Sequence, residues 1–170
     1  MKSSHKIALS FLIAALPLFI FFLLPSRPKW LVIAKKEIGT AEGIGALNNQ
    51  RILDYHATTG GYSKDSVPWC SSFVNWVIQK AGYRPTGSAQ AIKWADWGRK
   101  IDSPCKGCIA VWHWGSGKGH VGFVVGKRGS NLLVLGGNQS DQVKVSEYST
   151  NKLIAYVVPH NYKIPKSDYL

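Results

Sequence analysis

Apolar and polar positions divide the chain into three stretches of different rhythm. From Ile7 to Leu24 there is no charge across 18 residues, behind a short basic lead with Lys2 and Lys6. A terminal run that is apolar all round reads as a targeting segment rather than a core helix. Its length is at the lower end for a membrane span and long for a signal-peptide core. No small-x-small cleavage site follows in Pro25–Lys29, so the run is read as an uncleaved signal anchor in preference to a removed signal peptide. The expected division is 1–29 for this segment and its linker, and 30–170 for one folded domain.

The next stretch has helical periodicity. Trp30 to Ile38 is apolar-periodic and stops at Gly39, and Asn48 or Asn49 caps a helix running to about Thr58 before Gly60-Gly61. Pro68-Trp69 leads into a helix from Cys70 to Ala81, stopped by Gly82. There Cys70, Phe73, Val74 and Val77 share one face, with Ser71, Ser72, Asn75 and Gln79 elsewhere. Ser88 is the expected N-cap of a last helix through Trp94 and Trp97 to Gly98. The period then shortens. Residues 108–114, 120–126, 131–136, 142–148 and 153–158 read as strands, and 127–130 as a hairpin loop. Helices first and an antiparallel sheet second predict an α+β domain.

Charge adds one constraint. Lys and Arg number 21 against 9 Asp and Glu, a formal net charge of +12. Such a surplus favours anionic polymers or anionic membrane surfaces. The basic residues are scattered, so a solvated basic surface explains them as well as a binding patch does. A basic nucleic-acid binder requires a clustered stripe or a known module, and neither is visible, so no nucleic-acid partner is expected.

The chemistry centres on three positions. Cys70 opens a helix, where free backbone N–H groups and the helix dipole favour a thiolate. Taken alone, a helical cysteine is more often a small buried hydrophobe. His120 begins a strand after the glycine-rich loop 115–119, and Asn138 ends the next strand eighteen residues on. Adjacent antiparallel strands bring Asn138 towards His120, where its carboxamide can fix the imidazole tautomer. Nucleophile, base and orienter then follow in chain order. Cys105 and Cys108 form a Cys-x-x-Cys, read first as a local disulfide that leaves Cys70 the free thiol. A redox centre fits less well, because this pair enters a strand and not a helix. Zinc held by Cys105, Cys108, His113 and His120 has spacing too tight for the usual sites, so no metal is expected. His56, His113 and His160 read as ordinary core or surface histidines.

The runs Val67-Pro68-Trp69-Cys70-Ser71-Ser72-Phe73-Val74-Asn75-Trp76-Val77, Gly119-His120-Val121-Gly122-Phe123-Val124 and Val134-Leu135-Gly136-Gly137-Asn138-Gln139-Ser140 resemble bacterial and phage CHAP proteins, the cysteine- and histidine-dependent amidohydrolases/peptidases. The resemblance implies a papain-like fold and hydrolysis of peptidoglycan, as N-acetylmuramoyl-L-alanine amidase or endopeptidase, without a cofactor. It assigns Cys70 as nucleophile, His120 as base and Asn138 as third member. Many such proteins carry an acid two positions before the final Asn, where this chain has Gly136, so Asn138 is expected to orient His120 unaided. Tyr62, Ser63 and Trp69 are candidates for the second oxyanion donor, and Tyr62, Trp69 and Trp112 for the substrate groove. The N-terminal segment implies a single-pass membrane protein with its domain periplasmic or extracellular, or a secreted one if cleaved. A phage lysin, a wall-remodelling enzyme and an antibacterial effector share these motifs, so a lysis or immunity partner stays open. A catalytically inactive wall-binding domain is the main alternative.

Overall fold

The computed structural model describes residues 27–170, so the apolar run Ile7–Leu24 lies outside the described residues. Among the described residues, no helix is long and apolar enough to cross a membrane. Helix α1, Lys29–Lys36, starts behind Pro28 and buries Trp30, Leu31 and Ala34. Lys35 and Lys36 in its last turn suit the negative end of the helix dipole. Helix α2, Gln50–His56, is capped by Asn49, whose side chain accepts from Arg51 N at 2.9 Å. Asp65 ties the loop before Cys70 to this cap, accepting from Gly43 N and Asn49 N at 2.7 and 2.8 Å.

Helix α3, Cys70–Lys80, is buried on every side from Cys70 to Ile78. Its apolar face packs on the sheet through Phe73, Val74 and Val77. The polar face, expected to lie away from the core, is buried too. Its groups are satisfied by the segments wrapped around it. Ser71 Oγ donates to Ser88 O at 2.7 Å and accepts from Trp94 Nε1 at 2.9 Å. Asn75 Nδ2 donates to Ser71 O and Ser88 O, while its Oδ1 accepts from Gly87 N at 2.7 Å and Thr86 Oγ1 at 3.1 Å. Ser72 Oγ meets Thr59 Oγ1 at 2.7 Å and the buried His56 Nδ1 at 3.1 Å.

The expected fourth α-helix is instead a short 3₁₀ helix, Ala91–Asp96. Ser88 does not cap it. Its hydroxyl accepts from Gln90 N at 3.2 Å, a local turn, and its carbonyl is taken by α3.

The second half is a six-stranded antiparallel sheet of order β1-β6-β2-β3-β4-β5. The strands are β1 Arg99–Ile101, β2 Ile109–Gly115, β3 Lys118–Arg128, β4 Asn131–Gly136, β5 Lys144–Tyr148 and β6 Leu153–Val158. β1 was not legible in the sequence, because Arg-Lys-Ile carries no alternating pattern and is held by pairing with β6. One face of the sheet meets the helices. The other encloses a second cluster around Trp112, Val124, Leu132 and Val134, packed against Tyr148, Ile164 and Leu170.

Asn75 joins the central helix to the loop 86–88 that leads into the 3₁₀ helix. Asn75→Ala removes the part-buried bonds that the buried Asn75 side chain makes to Gly87 N, Thr86 Oγ1 and Ser88 O, so urea unfolding should report a loss of about 1–3 kcal/mol.

Candidate active site

A cavity of about 540 Å³ opens where the N-terminus of α3 meets the start of β3. Cys70, His120 and Asn138 all line it, joined by Tyr62, Trp114 and Tyr148. Among the described residues, Lys118 is its one charged lining residue. Three candidates from separate parts of the chain thus share one space.

Cys70 sits at the first position of α3 with only 9% of its surface exposed. Burial pushes its thiol up to about 11, although N–H groups of Val121, Ser71 and Cys70 itself pull the other way. The helix terminus therefore acts as expected and is outweighed by desolvation, so the resting group is a thiol and not the expected thiolate.

His120 is 4% exposed and stands opposite Trp112 in the β2–β3 register. Burial lowers its pKa to about 4, and Gln139 offsets this only in part. Its Nε2 lies 3.1 Å from Gln139 Oε1. Gln139 Nε2 donates to Val134 O at 3.2 Å and to Lys144 O, which fixes Oε1 as the acceptor. The imidazole then donates through Nε2–H and keeps Nδ1 free as a base.

The orienting bond thus comes from Gln139, where Asn138 was expected. The backbone explains the exchange. Asn138 has φ of 54°, a left-handed conformation that asparagine tolerates, and it breaks the strand alternation after Gly136. The next side chain turns back towards His120. Gly136 makes the room: a Cβ there would lie 3.1 Å from His120 Nε2 and 3.2 Å from Gln139 Oε1. Gly137 allows the loop to close on α3, since its Cβ would fall 2.5 Å from Trp69 Cζ3 and 2.7 Å from Phe73 Cβ. Gln139 was present in the recognised Gly-Gly-Asn-Gln-Ser run, but strand parity pointed to its neighbour.

Of the groove candidates, Tyr62 lies on the cavity and is 42% exposed. Trp69 and Trp112 do not line it: they are 0% and 1% exposed. Trp69 Nε1 donates to Glu42 Oε1, and Trp112 Nε1 to Ser149 O, both at 2.9 Å. Each is core with its one polar atom satisfied. Trp114, 46% exposed, takes the place expected of Trp112.

Cys105 and Cys108 are both buried free thiols, not the expected disulfide. Cys105 N donates to Cys108 Sγ at 3.3 Å, and burial pushes the Cys108 thiol up. They lie beneath the C-terminal residues, where Cys105 bridges to Tyr169 and Lys106 N donates to Asp168 O. His113 is exposed at the end of β2, so the four residues considered for zinc do not converge. Among the described residues, no three metal-ligating side chains group together.

A thiol raised to about 11 stays protonated at neutral pH. Iodoacetamide at pH 7 should modify Cys70 at least about tenfold more slowly than free cysteine, and the rate should climb well beyond pH 9. Peptide mapping by mass spectrometry measures this directly.

The CHAP domain model matches residues 62–138, the segment from the cavity-lining Tyr62 to Asn138. No curated protein matches the chain. Among solved structures, the wild type endolysin LysIME-EF1 superposes with a TM-score of 0.51 at 16% identity. That match covers 76% of this chain and 62% of the endolysin chain, so the domain spans less than two thirds of that protein. At this identity the likeness speaks for the fold, and it agrees with the α+β architecture. The segment that carries Cys70, His120 and Asn138 is thus the part of the chain that matches the CHAP domain family.

Proposed function

We propose that this domain is a cysteine hydrolase of bacterial cell-wall peptidoglycan, cleaving an amide bond of the stem peptide or its junction with the sugar. The observation that carries the reading is a buried thiol at a helix N-terminus sharing a cavity with an imidazole whose Nε2 is tied to Gln139. The CHAP match and the endolysin-like fold support the substrate class. The net charge of +12 suits an anionic wall.

In this mechanism His120 Nδ1 takes the thiol proton as Cys70 Sγ attacks the amide carbonyl. The Cys70 backbone N–H, at the start of α3, stabilises the oxyanion. The tetrahedral intermediate collapses as the imidazolium gives its proton to the leaving amine. Water, deprotonated by the same ring, then releases the acid from the thioester. Gln139 holds the ring through both transfers and accepts from Nε2–H throughout. Because the resting pair is neutral, proton transfer and attack occur together rather than from a standing ion pair.

Clearing of purified sacculi tests the assignment. Cys70→Ala and His120→Ala should each lower the rate by at least about a thousandfold, and the double variant should be scarcely slower than either. Gln139→Ala should cost about ten- to a hundredfold through misorientation, more than Asn138→Ala. Hydrolysis surviving in Cys70→Ala would sink the proposal, and a wild type that binds sacculi without cleaving them would mark a wall-binding module. Mass spectrometry of released muropeptides separates amidase from endopeptidase, because only the amidase frees an N-terminal L-Ala.

The substrate requires the domain to lie outside the cytoplasmic membrane, and the segment Ile7–Leu24 is the proposed means of export and anchoring. A C-terminal alkaline phosphatase fusion should be active and the matching cytoplasmic reporter dark; the reverse pattern removes the domain's access to the wall.

A further inference from the structure

The orienting bond from Gln139 lies at the edge of the imidazole. One in-plane hydrogen bond leaves a ring free to roll about the line joining donor and acceptor. A roll about Nε2···Oε1 would swing Nδ1 away from the thiol while keeping the bond. Something must therefore hold the ring by its face.

Tyr148, on edge strand β5, supplies that contact. Its ring lies 4.8 Å from the imidazole centroid with 15° between planes. Trp112 backs it, centroid to centroid at 5.1 Å, and Trp112 is itself pinned by the carbonyl of Ser149, the neighbour of Tyr148. Trp114 from β2 runs parallel to the imidazole, 3° between planes at 6.2 Å. The phenol is half-buried and lines the same cavity as Cys70 and His120.

We propose that Tyr148 is a positioning residue for His120: its ring fixes the face of the imidazole, as Gln139 fixes the edge, and together they hold Nδ1 towards Cys70. The assignment rests on the hydrolase reading given above. Face contact also keeps water from the ring, so Tyr148 helps hold His120 neutral. The titratable or charged groups around the ring are Cys70 from α3, Tyr148 from β5 and Lys118 from its own strand. Tyr148 is raised to about 12, by burial and then by the nearby Cys70, and stays neutral over the working range. Among the described residues no carboxylate lines the cavity, so a loss of Tyr148 acts on His120 through its solvation.

The test compares Tyr148→Phe, which keeps the ring, with Tyr148→Leu, which removes it. Two readouts are needed: initial rates on soluble peptidoglycan fragments across pH, and the His120 titration followed by NMR with His120→Asn for assignment. Tyr148→Phe should stay within about twofold of wild type in both. Tyr148→Leu should lose about tenfold or more in kcat with little change in KM. In Tyr148→Leu the His120 midpoint should rise from about 4 by about one unit. The sign follows from the base being the neutral form: a higher midpoint moves the acid limb of activity to higher pH. Tyr148→Met replaces the leucine variant if that one does not fold. A ringless variant with wild-type kcat and an unmoved midpoint overturns the proposal. So does Tyr148→Phe as impaired as Tyr148→Leu, which would assign the role to the hydroxyl, or a loss confined to KM, which would make Tyr148 a substrate wall. If the wild type cleaves nothing, the hydrolase reading fails, and the NMR comparison still decides whether Tyr148 controls His120.

Discussion

The burial of helix α3 on all sides is the constraint on which the rest of the structure depends. Its apolar face alone would need only the sheet. Its polar face needs partners for Ser71, Ser72 and Asn75, and those partners come from three other segments: Thr59 and His56 at the end of α2, the 86–88 loop, and Trp94 of the 3₁₀ helix. Each bond satisfies a group that would otherwise be costly to bury. The loop fastened by Asn75 leads directly to Ala89, Gln90 and Ala91, which line the cavity.

The same burial sets the electronic state of the site. Desolvation acts on both Cys70 and His120 and in opposite directions, raising the thiol to about 11 and lowering the imidazole to about 4. A helix N-terminus favours a thiolate, but its partial charge is outweighed when the sulfur is withdrawn from water. The resting pair is therefore thiol and imidazole. Among the described residues, Lys118 is then the one standing charge that lines the cavity, and the protonated thiol is a poor nucleophile in this resting state.

The Gly136–Gln139 segment reconciles two requirements in a small space. Gly137 brings the chain within contact of Trp69 and Phe73, and Gly136 leaves the volume beside His120 Nε2 that the Gln139 carboxamide fills. An acid at position 136 would have to enter from that same side. The left-handed turn at Asn138 aims Gln139 back into that volume. The acceptor beside His120 Nε2 is therefore the Gln139 carboxamide.

Local periodicity and end signals were enough to place α1, α2, α3 and five of the six strands, because each is decided by side chains adjacent in sequence: Asn49 capping, Gly39 and Gly82 stopping, apolar alternation along β2 to β6. The motifs around Cys70 and His120 were legible for the same reason. Tertiary structure alone decided what depended on distant contacts. β1 exists through its pairing with β6, and Ser88 lost its capping role because α3 claims its carbonyl. Trp69 and Trp112 proved to be core while Trp114 reached the cavity, since equal hydrophobicity says nothing of which face a ring will meet. Gln139 replaced Asn138 because one left-handed residue reverses the alternation that strand parity assumes, and a dihedral angle at one position is not written in the hydrophobic pattern.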